Sequence, residues 1–248
     1  MKKETKEKSL ELIEVGVAKI INNYTKYALL INSCDVASKS YETLTNPILL
    51  STTLNIPESL RLDSFELDLQ YNNQELVEEY RTKSLIIVFE NYLIHSVSVV
   101  DGILEDLFEI MLKDDENIDN VEVEKNLSTA WRNDNLKNYL TTSKGVNLQK
   151  PTYMNMSFEE TFIRYLELRI VRHAIIHTNS KLTEKDYNRL NDFAEQTPDE
   201  RKNIALINSP MIKNKRIILS INGILAIRQF LDRFLMYFYN SIQQEVTN

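Results

Sequence analysis

At 248 residues the chain is long enough to bury one sizeable core, and 43% hydrophobic with 26% charged residues is the make-up of an ordinary globular protein. Four Gly and five Pro are too few for a fold of many short strands and tight turns, so long helices are expected. A single Cys, Cys34, excludes an internal disulfide framework and suits a reducing cytoplasm, while a net charge of −7 speaks against whole-surface affinity for nucleic acid.

The opening MKKETKEKSLE has no apolar core of the kind a secretory signal carries, which fits a cytoplasmic protein. Apolar residues then recur as Leu10, Ile13, Val17, Ile20, Tyr24, Tyr27, Ile31 and Cys34. This alternating three-four spacing predicts a long helix whose seam docks on the rest of the chain, a coiled-coil dimer being its other outlet. The period is lost over 41–73, where Pro47, Pro57 and Asn72-Asn73 predict a loop-rich connection with one short element near 65–69. Residues 1–73 therefore read as a helical extension packing on a bundle formed by 74–248, the whole being one globular unit. The pattern over 74–113 is helical, with a break expected near Ser96 or Gly102. Its most apolar stretch, 85–112, is interrupted by Glu90, His95, Asp101, Glu105, Asp106 and Glu109, so no membrane span and no membrane partner are expected.

After a polar turn at 114–120, a helix is predicted over 123–140 carrying Trp131, the only Trp, followed by a loop at 144–151. Ser157 with Glu160 three residues later is a capping box, and an apolar run through Phe162, Leu166, Ile170 and Ile176 follows at once. That helix should end near Asn179-Ser180. Thr183 with Asp186 caps a shorter helix through Phe193, 216–220 is briefly extended, and 222–243 forms the last helix. The fold class is an all-α helical bundle with a long N-terminal helical extension.

Glycine-rich phosphate loops, paired cysteines, the helical His-Glu-x-x-His motif and the Gly-x-Ser-x-Gly elbow are all missing. Three His and one Cys leave no ligand set for zinc, so neither a metal nor a cofactor is expected. The carboxylates Glu90, Asp101, Glu105 and Glu109 lack the Glu-x-x-His partners of a di-iron bundle and read as a solvated acidic face. What remains is Leu168-Arg-Ile-Val-Arg-His-Ala-Ile-Ile-His177, which holds two of the three His. At roughly 100° per residue, Arg169, Arg172, His173 and His177 share an arc of about 140°. Leu168, Val171, Ala174 and Ile175 point the other way, into a core. Phe162, Tyr165, Leu166 and Ile176 fall on the polar side, where they would rim a contact with a second copy. Two guanidiniums beside two imidazoles suit phosphodiester chemistry: an imidazole moves protons near neutral pH, and a guanidinium holds a developing pentacoordinate phosphate.

The run Arg172-His173-Ala-Ile-Ile-His177 resembles the signature of the HEPN superfamily, an all-α group with many prokaryotic ribonucleases. Its pattern is an Arg, a polar residue, a few apolar residues and a His near a helix end. The stretch from Ser98 through Asp101 to Leu107 is similar to the family's earlier helix, with Asp101 where Glu is usual and Gly102 departing from the pattern. The stretch from Arg216 to Leu225 resembles the closing segment. The likeness covers roughly 75–240 and leaves the N-terminal helix unassigned. Thr178-Asn179 lacks the Tyr through which some relatives are neutralised. The resemblance implies a metal-independent endoribonuclease, cytoplasmic, a toxin or part of antiviral defence, leaving a 2′,3′-cyclic phosphate and a 5′-hydroxyl. Its catalytic pair is then Arg172 and His177, supported on RNA by His173, Arg169 and Asp101, with Asp101 tethering Arg172. Its partners are RNA, a second copy in a two-fold dimer, and an antitoxin or other protein. The competing reading is a catalytically silent HEPN module that binds nucleotide, RNA or a partner protein, with a purely structural adaptor third.

Overall fold

The computed structural model describes residues 1–45, 50–51, 70–132, 134–142, 145–151 and 155–245, and the element expected at 65–69 lies outside them. The described chain is all-α, with eight α-helices and two antiparallel ladders of two residues per strand. It comprises two compact units, one of residues 1–24 with 90–248 and one of 25–89.

Helix α1 (Lys3–Thr43) buries Ile13, Ile20 and Cys34 of the apolar series, while Leu10, Val17, Tyr24, Tyr27 and Ile31 stay half-exposed. In the larger unit its inward line is completed by Thr5, Ser9, Gly16 and Asn23. A Cβ at Gly16 would overlap Ile103, and Asn23 donates to Ser96 Oγ at 2.7 Å, so close approach and a buried hydrogen bond define this seam. An apolar period alone marks such a seam only in part. In the smaller unit, β1 (Leu50–Ser51) pairs with β2 (Gln70–Tyr71), Tyr41 stacks on Tyr80 at 5.8 Å, and Arg81 meets Glu42 at 2.7 Å.

Asn72 caps α2 (Asn73–Glu78) through a capping box, a π-helical turn spans Glu79–Lys83, and α3 follows (Ser84–Asp114). The break expected near Ser96 or Gly102 does not occur. Ser96 is engaged by Asn23, a side chain at Gly102 would enter open space, and Val97, Val100, Leu104 and Leu107 hold the helix to the core. The run Asn73–Asp114 is long and apolar enough to cross a membrane by length and composition, and 44% of its most apolar window is buried within the protein.

The single helix expected over 123–140 is two, α4 (Asn120–Ser128) and α5 (Asn135–Thr141). Asn135 Nδ2 donates to the Thr129 carbonyl and hydroxyl at 3.3 and 3.1 Å, and Asp134 sits at φ 57°. Short polar side chains bonding the local backbone compete with helix here, and Trp131 lies in the turn they make.

Helix α6 (Phe158–Thr178) opens on the predicted capping box: Ser157 accepts from the Glu160 N–H, and Glu160 accepts from the Ser157 N–H. Every residue of 161–168 is buried, so its first half is surrounded, whereas its second half buries only one side. Around that first half Tyr165 stacks on Phe234 at 4.6 Å and Phe162 meets it edge-on at 5.7 Å. Phe162, Tyr165 and Leu166 are 1%, 0% and 9% exposed and cannot rim an interface, leaving Ile176 at 44% as the one expected rim residue on the surface.

Asn179 and Ser180, at φ 51° and 59°, end α6 in consecutive left-handed conformations, and both bond back to the Ala174 carbonyl. Thr183 caps α7 (Glu184–Glu195) at once by accepting from the Asp186 N–H. After 3₁₀ turns at Asp199–Ile204 and Leu206–Asn208, β3 (Ile212–Lys213) pairs with β4 (Arg216–Ile217), short of the extension expected to residue 220. Ser220 caps α8 (Ile221–Gln244), whose Phe234, Tyr237 and Phe238 are core.

Behind α6 lies a buried ion pair. Arg164 Nη1 is 3.0 Å from Glu167 Oε2, Arg164 Nη2 donates to Thr197 Oγ1, and the Leu206 N–H faces both Glu167 oxygens at 3.3 Å. Burial pushes the Glu167 carboxyl up to about 7, against the pull of Arg164 and of that N–H. A folded carboxyl raised above its ordinary value of 4.5 holds its proton in the native state after the unfolded chain has released it. Stability is therefore expected to be highest below about pH 4.5 as far as this group is concerned, and to fall as pH rises through about 7, by at most roughly 3 kcal/mol. Urea unfolding from pH 5 to 8 should show this slope in the native chain and a flatter one in Glu167→Gln. Equal slopes would mean that the carboxyl titrates alike in both states.

Candidate functional site

The second half of α6 presents a polar side because Leu168, Val171, Ala174 and Ile175 take the inward positions, all at most 9% exposed. Arg169, His173 and His177 follow one another at four-residue intervals, which lines them along one ridge. Arg172 and Ile176 form the neighbouring ridge. The rings of His173 and His177 lie 4.6 Å apart at 47°, and both residues are exposed.

The two arginines are held from α3. Asp101, 8% exposed, stands with Oδ1 2.9 Å from Arg169 Nε and Oδ2 3.4 Å from Arg172 Nη1. The fully buried Tyr165 hydroxyl donates to the same Oδ1 at 2.7 Å, with the Val97 carbonyl at 3.1 Å. Burial raises the Asp101 carboxyl above its ordinary range although Arg169, Tyr165 and Arg172 all pull it down, and burial also pushes the Tyr165 phenol well up. Asp101 is thus no part of a solvated acidic face. Glu105 accepts from the Trp131 indole N–H, and Glu90 accepts from the Ser180 hydroxyl, so that face is engaged at three places along its length.

Trp131 completes the clamp on Arg169. The guanidinium carbon lies 3.6 Å from the indole centroid, which sets the group between an aromatic face and a carboxylate. Arg172 keeps Nε without a hydrogen-bond partner. It is 3.4 Å from Asp101, the His177 ring neighbours that of His173, and both residues of the Arg-to-His motif line one opening.

That opening is a groove of about 560 Å³ lined on one side by Arg169, Arg172, His173, Ile176 and His177. Thr183, Lys185, Asp186 and Arg189 of α7 line it too, with Trp131 at the α4–α5 turn. The abrupt left-handed end of α6 is what brings α7 there: only Lys181 and Leu182 separate Ser180 from the cap Thr183, and Leu182 is pinned by the Lys215 carbonyl at 2.8 Å. Four permanent cations and one carboxylate line the groove of a chain whose net charge is −7. Sequence reasoning placed Arg169, Arg172, His173 and His177 on one face but missed Trp131, Lys185 and Arg189. The four-residue spacing of Lys185 and Arg189 was a signal for a shared face, though not for which face. Among the described residues no group of three or more His, Cys, Asp or Glu side chains is placed to hold a metal.

No family model matches the chain, and neither a curated protein nor a solved structure does.

Removing the Asp101 carboxylate leaves two partly buried guanidiniums without their shared counter-charge, and Tyr165 with the Val97 carbonyl alone as acceptor. Asp101→Ala is expected to cost about 2–3 kcal/mol at neutral pH, below the full range for a buried pair because both arginines keep some water. Asp101→Asn, which still accepts from Tyr165, should cost less. Urea denaturation of the two variants measures this, and a loss under about 0.5 kcal/mol for Asp101→Ala would show the clamp to be incidental.

Proposed function

We propose that this chain is a metal-independent endoribonuclease of HEPN type, acting in the cytoplasm as a toxin or in antiviral defence. The observation that carries the reading is the concentration of His173, His177, Arg169 and Arg172 in one cationic groove of an acidic protein. RNA brings its own nucleophile, the 2′-hydroxyl, so the protein has only to move protons and hold charge. His177 takes the 2′-hydroxyl proton as the O2′–P bond forms. A protonated imidazole gives a proton to the leaving O5′ as the P–O5′ bond breaks, yielding a 2′,3′-cyclic phosphate and a 5′-hydroxyl. Arg172, one of the groove's lining residues, stabilises the pentacoordinate phosphate. His173 and Arg169 position the strand, and Asp101 orients both arginines.

A second reading has an observation of its own. Arg172 is already engaged by Asp101, which favours a catalytically silent module that binds RNA, a nucleotide or a partner protein such as an antitoxin. Purified protein with labelled RNA in EDTA separates the two. Cleavage is expected to survive chelation and to fall about a hundredfold or more in His177→Ala and in Arg172→Ala, with His173→Ala milder. Binding without cleavage would establish the silent module, and cleavage that persists in the Arg172→Ala/His177→Ala double variant would point to another site.

The reading includes a homodimer in which two grooves meet about a two-fold axis, so that each phosphate is offered imidazoles and guanidiniums from both chains. Ile176 is the apolar group available to that contact. Mixing inactive Arg172→Ala with inactive His177→Ala should then restore part of the activity, because the mixed dimer holds one intact copy of each residue. Sedimentation at micromolar concentration showing monomer alone, with no restoration on mixing, would overturn the shared cleft.

A further inference from the structure

Two cations of the groove come from α7 rather than from α6. Lys185 and Arg189 stand one helical turn apart on α7, both exposed and both lining the same opening as Arg172 and His177. Neither makes an ion pair with a carboxylate among the described residues. The neighbouring charges on α7 are differently committed. Glu184 pairs with Lys215, and Asp186, the one carboxylate of the groove, accepts from the Thr183 hydroxyl at 2.7 Å. Arg189 is steadied by Phe193, whose ring centroid lies 5.4 Å from the guanidinium. The α6 cations contrast with them, since Asp101 already balances part of the charge of Arg169 and Arg172. Among the described residues, the groove cations held by no ion pair are therefore those of α7, beside the single carboxylate Asp186.

Side chains four residues apart on a helix are about 5–6 Å apart at Cβ, which suits two donors converging on one phosphate. A groove of about 560 Å³ also lies within the range of roughly 300–1,000 Å³ that encloses a ligand larger than a single phosphate. We propose that Lys185 and Arg189 form a second phosphate subsite, so that the groove takes a single strand through at least two consecutive phosphates, one at Arg172 and His177 and the next on α7. This rests on the RNA reading given above and adds to it a preferred substrate: a flexible single-stranded segment rather than a mononucleotide. Duplex RNA, whose backbone cannot bend into a groove of this size, is disfavoured.

Fluorescence anisotropy with 2′-O-methyl oligonucleotides, which cannot be cleaved, tests the subsite without depending on catalysis. The wild-type chain is expected to bind a hexanucleotide at least tenfold more tightly than a probe with one phosphate. Lys185→Gln/Arg189→Gln should remove most of that gain while leaving the one-phosphate probe little changed. The slope of log affinity against log salt should fall by about 0.7 for each phosphate that the variant no longer neutralises. A charge-matched control, Lys3→Gln/Lys8→Gln on the exposed face of α1, should bind as wild type does. Equal affinity of wild type and the α7 variant, or an equal weakening in the control, would overturn the proposal. Wild-type failure to bind any oligonucleotide would overturn both the subsite and the RNA reading. Length-dependent binding without cleavage of ordinary RNA would uphold the subsite and overturn only the nuclease.

Discussion

Asp101 is a buried carboxylate on one core helix facing two guanidiniums and a buried phenol on another, and the arrangement of the groove depends on it. Taking an acid out of water is costly, as its raised proton affinity reflects. The cost is offset only because Arg169, Arg172 and Tyr165 converge on it within 3.4 Å. The same contacts fix where the arginines point. Arg169 lies between Asp101 and Trp131, and Arg172 lines the groove with its Nη1 3.4 Å from Asp101. Without the carboxylate, Arg169 would keep only the Trp131 face and Arg172 would lose its ion-pair partner.

Electrostatics then divides the groove into two walls. On α6 the arginines are partly balanced by Asp101 and sit beside the imidazoles of His173 and His177. On α7 the cations Lys185 and Arg189 are exposed and held by no ion pair among the described residues, with Asp186 beside them. A net charge of −7 with four cations and one carboxylate lining one groove makes that groove locally cationic in an acidic chain. The acidic composition and a proposed RNA substrate are thus compatible.

Helix α6 was legible because its signals are local. The Ser157 capping box, the apolar period and the Asn179-Ser180 end act over three or four residues each, and the structure places that helix at Phe158–Thr178. The arc of Arg169, Arg172, His173 and His177 follows from helical geometry alone. Misreadings arose where packing overrode pattern. Gly102 and Ser96 suggested a break that the core contacts of α3 suppress. Trp131 read as a helical residue, yet Asn135 and Thr129 bond into a turn that delivers it to Arg169. Phe162 and Tyr165 share the helical side of Arg169 but are swallowed by α8, because the first half of α6 is enclosed on every side.

By itself the sequence determined the all-α class, most helix bounds and the face that Arg172 and His177 share, since capping, periodicity and the scarcity of Gly and Pro are properties of neighbouring residues. Only the tertiary structure decided what that face meets. Asp101 lies 71 residues before Arg172 in the chain, Trp131 sits in a turn no period describes, and Lys185 and Arg189 reach the groove because two left-handed residues fold α7 back beside α6. Pairings between distant segments are set by how whole helices pack, and a one-dimensional pattern carries no record of which helix will lie against which.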